Sequence, residues 1–287
     1  MNRDITLIEG IDVGQVPPTP TTGSIDPTFL TKTRSILLGH ATAFGFPISF
    51  SQEQNGAVTQ NVFPIQNTES MQISTSSKVE LGLHTETAFH RFKPSAILLL
   101  CLRGDPNAVT TYAYVDDIAK QLKPATLSTL TRLWFTTSID ESFRTNGERD
   151  MEITCSILDE VVSDTTDRYA SRINPIYNIC FDEALMKGTN EQAIEALGQL
   201  QDAVKYCTRQ IVLKTGDLLV LNNKTTIHGR RPFTARYDGT DRWVQRMLVI
   251  DSIPPSSYIK KHINHTEIIP LNTQPVTHRQ AQTALPR

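Results

Sequence analysis

His84-Thr85-Glu86 sets an imidazole and a carboxylate two residues apart. In an extended strand residues i and i+2 share a face, so both can reach one ion while Thr85 points away. Together they would supply two corners of a 2-His-1-carboxylate facial triad, which leaves three adjacent metal positions open. A triplet of this kind also arises by chance on surfaces, so the third ligand decides. His228 stands in TIHGRRPF, just after the apolar run LLVLNN and with Gly229 behind it. A histidine at a strand end followed by glycine can reach across a barrel mouth, although a hydrogen-bonded turn histidine has the same local look. Arg242 opens DRWVQRMLVI, and strand alternation puts Arg242, Val244 and Arg246 on one face. A guanidinium fork binds a carboxylate bidentately, and a buried fork without an anion is costly. The pair therefore predicts an anionic small molecule, while Arg246 alone would also suit a rim salt bridge.

Two blocks, LHTETAFHRFKPSAILLLCLRGD and HGRRPFTARYDGTDRWVQRMLV, resemble the signature regions of the clavaminate synthase-like oxygenases. That group includes bacterial hydroxylases of free amino acids. The similarity spans about residues 57 to 115 and 210 to 252, with weaker agreement between. The resemblance implies a mainly β fold with flanking helices around a double-stranded β-helix (jelly-roll) core. It implies that His84, Glu86 and His228 ligate Fe(II), and that Arg242 holds the distal carboxylate of 2-oxoglutarate. Thr110, in AVTTYA, matches the position of a hydroxyl near that carboxylate, with Thr111 its close competitor. Arg246 would face the substrate carboxylate, and Gln60, in TQNVFP, its amino or carboxyl group.

The implied chemistry consumes O2, converts 2-oxoglutarate to succinate and carbon dioxide, and hydroxylates an unactivated C–H of an amino acid or derivative. Desaturation or cyclisation on a carrier-bound substrate stays open beside hydroxylation. With Glu86 at the carboxylate position no place is free for a halide, which argues against a halogenase. Relatives acting on cationic side chains would be expected to offer acids before the helix at Thr189. Asn174 stands there in this chain, which speaks against a guanidinium substrate.

The elements that must position these residues are partly legible. Residues 1–25 read as a Pro- and Thr-rich arm. Asp26 and Pro27 suit the start of a helix that runs to the Gly45 stop. Val79 to Val115 reads as three strands, the continuously apolar Ala96–Leu102 as a buried one. Helices are expected over Pro124–Phe135 and Thr189–Tyr206, the second capped by Thr189. Residues 140–188 read as an insertion able to cover the site, and 253–287 as an irregular tail. All 287 residues read as one domain, with no βαβ rhythm and no glycine-rich phosphate loop. His90 shares the strand parity of His84 but would lie roughly 20 Å from it along a strand, at the surface or behind the ligands. The remaining histidines read as solvent-facing or structural.

A net charge of -2 with well-mixed signs gives no case for nucleic acid or a membrane surface as partner. A small-molecule substrate fits, and the oligomeric state is left open. No apolar run approaches the roughly 18 residues that span a bilayer, and the start lacks a signal-peptide pattern, so a cytoplasmic location is expected. Cys101, Cys155, Cys180 and Cys207 are widely spaced, which predicts four free thiols. Two rivals use the same ligands: a non-catalytic metal-binding jelly roll, and a zinc hydrolase. Neither gives Arg242 and Arg246 a purpose.

Overall fold

The computed structural model describes residues 5–23, 25, 30–144, 152–161 and 176–269. The chain opens with β1 (Ile5–Ile8), α1 (Thr31–Ala41), β2 (Phe46–Phe50), β3 (Gln60–Val62) and β4 (Leu81–His84). β5 (Ala96–Arg103), β6 (Thr110–Tyr114), α2 (Val115–Lys120), α3 (Pro124–Leu130) and β7 (Phe135–Ser138) follow. Next come β8 (Glu152–Cys155), β9 (Leu158–Val161), β10 (Ile176–Ile179), β11 (Lys187–Gly188) and α4 (Glu191–Cys207). β12 (Arg209–Ile211), β13 (Leu218–Asn222), β14 (Thr226–Arg230), β15 (Trp243–Ile250), β16 (Ile259–Lys261) and β17 (Thr266–Ile268) complete it.

Two sheets carry the site. The larger runs β1-β13-β5-β15-β2-β17-β16 with β3 also on β15, and the smaller runs β12-β6-β14-β4. Apart from the parallel pair β17 and β2, both are antiparallel, as a jelly roll requires. Every residue from Ala96 to Leu102 is buried, because β5 is covered on both faces. Leu98, Leu100 and Leu102 pack with Leu37 and Ala41 of α1, whereas Ile97, Leu99 and Cys101 pack inward with Val244 and Leu248. The outer face of the smaller sheet is closed by α4, whose Ala196, Leu200 and Val204 pack with Ala113 and Ile227. The order is thus helix, large sheet, site, small sheet, helix.

Several expectations are corrected. The N-terminal arm contributes a strand, Ile5–Ile8, which pairs with β13 and covers that sheet edge. Described parts of 140–188, read from the sequence as an insertion, form β8 to β11, with β8 paired to β7 and β9 to β10. Within the expected tail, β17 lies parallel on β2. The helix at Pro124 stops at Leu130, and Phe135 starts a strand whose first side chain is fully buried. For α4 the cap is Asn190, whose side chain accepts from the Ala193 N–H at 2.9 Å, not Thr189. Asp26, Pro27, Asn174 and His278 lie outside the described residues. The four cysteines are free. No described helix is long and apolar enough to cross a membrane.

His90 is a core residue, not a surface one. The chain turns after β4 instead of continuing as a strand, with His90 N–H on the Thr87 carbonyl at 2.8 Å. Its ring meets Phe50 edge-on at 4.8 Å and its Nδ1 accepts the Phe92 N–H at 3.0 Å. Burial, aided by Lys93, pushes its pKa down from 6.5 to about 4. Between those values the unfolded chain binds the extra proton, so this contribution to stability is present above pH 6.5 and is lost as pH falls toward 4. The full loss approaches about 3 kcal/mol. Denaturant unfolding at pH 7.5 and 4.5 is expected to show a smaller pH dependence in His90→Gln than in the parent. Equal slopes in both proteins would contradict it.

Candidate active site

The smaller sheet brings the three ligand candidates together. His228 lies in β14 directly opposite His84, the last residue of β4. Their rings lie 4.5 Å apart, and one ligand atom from each of His84, Glu86 and His228 falls within 4.8 Å of the others. Gly229 is required by crowding, because a Cβ there would sit 2.5 Å from the Leu81 carbonyl oxygen. Between His228 and Arg230 the pairing with β4 slips, a bulge of the kind that re-aims side chains beside active sites.

Strand parity does not explain how Glu86 arrives, because β4 ends at His84. Its backbone is clamped instead by the Asn223 amide. Asn223 Oδ1 accepts the Glu86 N–H at 2.8 Å, and Nδ2 donates to the carbonyls of Glu86 at 3.2 Å and Pro94 at 2.9 Å. One residue beyond, Thr87 adopts φ 51, a left-handed backbone unusual for a β-branched residue. Thr85 locks the other side by pairing with Phe181, which sets Asp182 against His84. Asn223→Ala would orphan buried backbone groups at Glu86 and Pro94 and is expected to cost about 3 kcal/mol. Because the Glu86 carboxylate loses its mount, metal affinity is expected to fall by about 10- to 100-fold, read by metal titration. Unchanged metal affinity in a folded variant would contradict it.

The remaining contacts leave at least one ligand atom of each residue free, and His228 Nδ1 is buried without a hydrogen-bond partner among the described residues. His84 Nδ1 donates to the Gly82 carbonyl at 2.8 Å, which fixes the tautomer and leaves Nε2 as the donor to a metal. Arg246 Nη1 occupies Glu86 Oε1 at 2.6 Å, while Oε2 is buried, has no hydrogen-bond partner among the described residues and stands 3.8 Å from His228 Nε2. Two imidazole nitrogens and one carboxylate oxygen with nothing else to bind fit a divalent iron ion. Burial pushes the Glu86 carboxyl up, but Arg246, His84 and His228 together outweigh it and hold the carboxyl below its ordinary range. Burial pushes His228 down to about 3, which favours the neutral, ligating form.

The two arginines turn out unlike each other. Arg246 is neutralised inside the protein: Nη2 donates to Glu53 at 2.9 Å, Nη1 to Glu86, and Nε to Gln60 Oε1 at 2.7 Å. Gln60 Nε2 in turn donates to Glu53 at 3.0 Å. Glu53 and Glu86 outweigh burial and raise the pKa of Arg246. Of the two, only Arg242 is left without an internal anionic partner among the described residues. Arg242 is 8% exposed and makes no hydrogen bond or ion pair among the described residues. Burial lowers its pKa, with Cys101 and Asp105 offsetting it in part. Across from it Thr110 Oγ1 is also buried without a partner. Thr110 pairs with Arg230 across β6 and β14 on the face that carries His228, whereas Thr111 pairs with Gly229 and faces away. An unpaired guanidinium and a free hydroxyl fit the distal carboxylate of 2-oxoglutarate.

Two adjoining cavities share Ser74, Leu81, His84, Glu86 and Arg246. The smaller, about 60 Å³, is walled by Thr110, Arg230 and Arg242. The larger, about 230 Å³, is walled by Glu53, Asp140, Glu141, Arg144 and Asp182 among others. Burial first, then Asp182, Glu86 and Glu53, pushes the Asp140 carboxyl well above its ordinary range. The sequence does not single out Glu53, Asp140, Asn223 or Arg230, because no spacing marks them.

A family model for the taurine catabolism dioxygenases, TauD and TfdA, matches residues 31–248. The L-asparagine oxygenase of Streptomyces coelicolor is 33% identical over 248 residues, 85% of this chain and 69% of that protein. The structure of an asparagine oxygenase with Fe(II), 2S,3S-3-hydroxyasparagine and succinate superposes with a TM-score of 0.80. It is 31% identical and covers 93% of this chain and 80% of that one. The non-heme iron oxygenase OrfP with Fe and alpha-ketoglutaric acid gives 0.74 at 29% identity, over 88% and 76%. The matched span takes in His84, Glu86, His228 and both arginines, and with it the chain belongs to the TauD/TfdA dioxygenase family.

Proposed function

We propose that the chain is an Fe(II)- and 2-oxoglutarate-dependent hydroxylase of an L-amino acid whose side chain donates hydrogen bonds. The observation that carries this is the buried Arg242, unpaired among the described residues, beside a His-Glu-His cluster with at least one free ligand atom per residue. Iron with 2-oxoglutarate and O2 supplies an oxidant for an unactivated C–H, with succinate and carbon dioxide released. His84, Glu86 and His228 would hold the ion, and Arg242 with Thr110 would fix the far end of the oxo acid. That leaves the larger cavity for the substrate.

Arg246 and Glu53 line this cavity as a charged pair suited to a zwitterion, a guanidinium for the carboxylate and a carboxylate for the ammonium, while Gln60 is buried behind them with its amide oxygen on Arg246 Nε. Arg246 already serves two carboxylates, so a substrate carboxylate would share its fork rather than find it free. The Asp182 carboxylate also lines this cavity and accepts, so a side chain that meets it should donate, as an amide or an ammonium does. The asparagine oxygenase likeness supports the amide. Incubating Fe(II)-loaded protein with 2-oxoglutarate, O2 and a panel of L-amino acids tests the proposal. One amino acid gaining a single oxygen in step with succinate is expected. Succinate formed with no free amino acid changed would contradict the free-substrate part, and no succinate from iron-loaded protein would overturn the whole.

A further inference from the structure

We infer that Arg230 is a second cation of the cosubstrate pocket, which with Arg242 selects a 2-oxo acid bearing a distal carboxylate. Arg230 is 4% exposed and follows His228 by two residues in β14, so strand alternation puts both on the face that lines the smaller cavity. Its cross-strand partner in β6 is Thr110, whose hydroxyl is itself unpaired. The guanidinium is held by neutral groups: Nη1 donates to the Arg231 carbonyl at 2.8 Å, Nη2 to Ser76 Oγ at 2.8 Å and to the Val79 carbonyl at 3.4 Å. It also lies over the Phe233 ring at 5.1 Å. No carboxylate lies within ion-pair distance among the described residues, and Nε is buried without a partner.

Besides the paired Arg246 and Glu86, the cavity of about 60 Å³ therefore carries two guanidinium groups, Arg230 and Arg242, and among the described residues no carboxylate forms an ion pair with either. Two like charges out of water repel each other and lose hydration, so the arrangement is unfavourable by itself. A carboxylate placed among Thr110, Arg230 and Arg242 compensates both charges at once. A lone Arg242 would bind any small carboxylate; the second charge favours an oxo acid whose distal end is anionic and fully desolvated. The alternative role is mechanical: through Ser76 and Val79, Arg230 could simply tie down the loop whose Ser74 walls the cavity.

The inference rests on the cosubstrate role of Arg242, so the test carries an Arg242 arm. Mn(II)-loaded parent, Arg230→Gln, Arg230→Lys and Arg242→Gln are titrated calorimetrically with 2-oxoglutarate and with 2-oxopentanoate, which lacks the distal carboxylate. Arg230→Gln is expected to weaken 2-oxoglutarate by about 10- to 100-fold and leave 2-oxopentanoate within about 2-fold. Arg230→Lys keeps the charge and should lose about 3- to 10-fold for 2-oxoglutarate alone, which serves if the glutamine variant does not fold. Equal weakening of both acids, or of neither, would make Arg230 a loop tie and overturn the inference. If Arg242→Gln leaves 2-oxoglutarate binding intact, the cosubstrate assignment fails first and Arg230's part goes with it.

Discussion

Glu86→Gln is expected to lower turnover by about 10³-fold or more and to weaken metal binding measurably, while the protein remains folded but less stable. Metal chemistry of this kind supplies several kcal/mol to the reaction, and an amide in place of the only anionic ligand cannot balance the ion's charge. The stability loss has a separate cause. Arg246 rests between Glu53 and Glu86, and removing one carboxylate leaves a buried guanidinium half-compensated. Breaking a buried pair from one side costs about 3–5 kcal/mol; Glu53 retains part of it, so a loss nearer the low end is expected. Metal titration and denaturant unfolding of the metal-free protein read the two effects independently. A Glu86→Gln variant that keeps full iron affinity would remove Glu86 from the ligand set, whatever its activity.

Arg242→Met should behave in the opposite way toward stability. Arg242 is buried with no ion-pair partner among the described residues, so without the oxo acid it is an uncompensated charge. Methionine of similar length should leave the metal-free, ligand-free protein as stable or more stable, by about 1–3 kcal/mol. The same change should weaken 2-oxoglutarate by about 10²- to 10³-fold, because one partner of a desolvated charge pair is gone. Differential stabilisation by 2-oxoglutarate in the parent and in the variant measures both at once. A variant destabilised by several kcal/mol, with 2-oxoglutarate binding unchanged, would show that Arg242 is a scaffold residue.

These contrasts separate what residue type and spacing reveal from what they hide. His84, Glu86 and His228 are legible because chemistry restricts the residue types and strand geometry restricts the spacing. The parity of a continuing strand is nevertheless not what places Glu86: a turn and the Asn223 clamp carry it. Arg242 and Arg246 look equivalent in DRWVQRMLVI, and only the fold puts Glu53 against one of them. Glu53 lies in the polar run SQEQNG, which reads as a solvated loop until β3 brings Gln60 back beside β15. His90 follows the same rule in reverse, since its place in the core depends on a turn at Thr87 that periodicity does not show. The layers were easier. Continuous apolar runs at β5 and β13 and the helical spacing of α4 decide their own burial. The short strands β1, β16 and β17 add themselves to edges already built, so no local pattern announces them.

The assembly of iron and oxo acid on this site is tested most directly by anaerobic titration of Fe(II)-loaded protein with 2-oxoglutarate, followed by visible absorption. A charge-transfer band that saturates at one equivalent, is lost in His228→Ala and needs far more 2-oxoglutarate in Arg242→Met is the expected result. Iron bound at His84, Glu86 and His228 with no band at saturating 2-oxoglutarate would contradict it, and would leave a metal site without the cosubstrate that Arg242 implies.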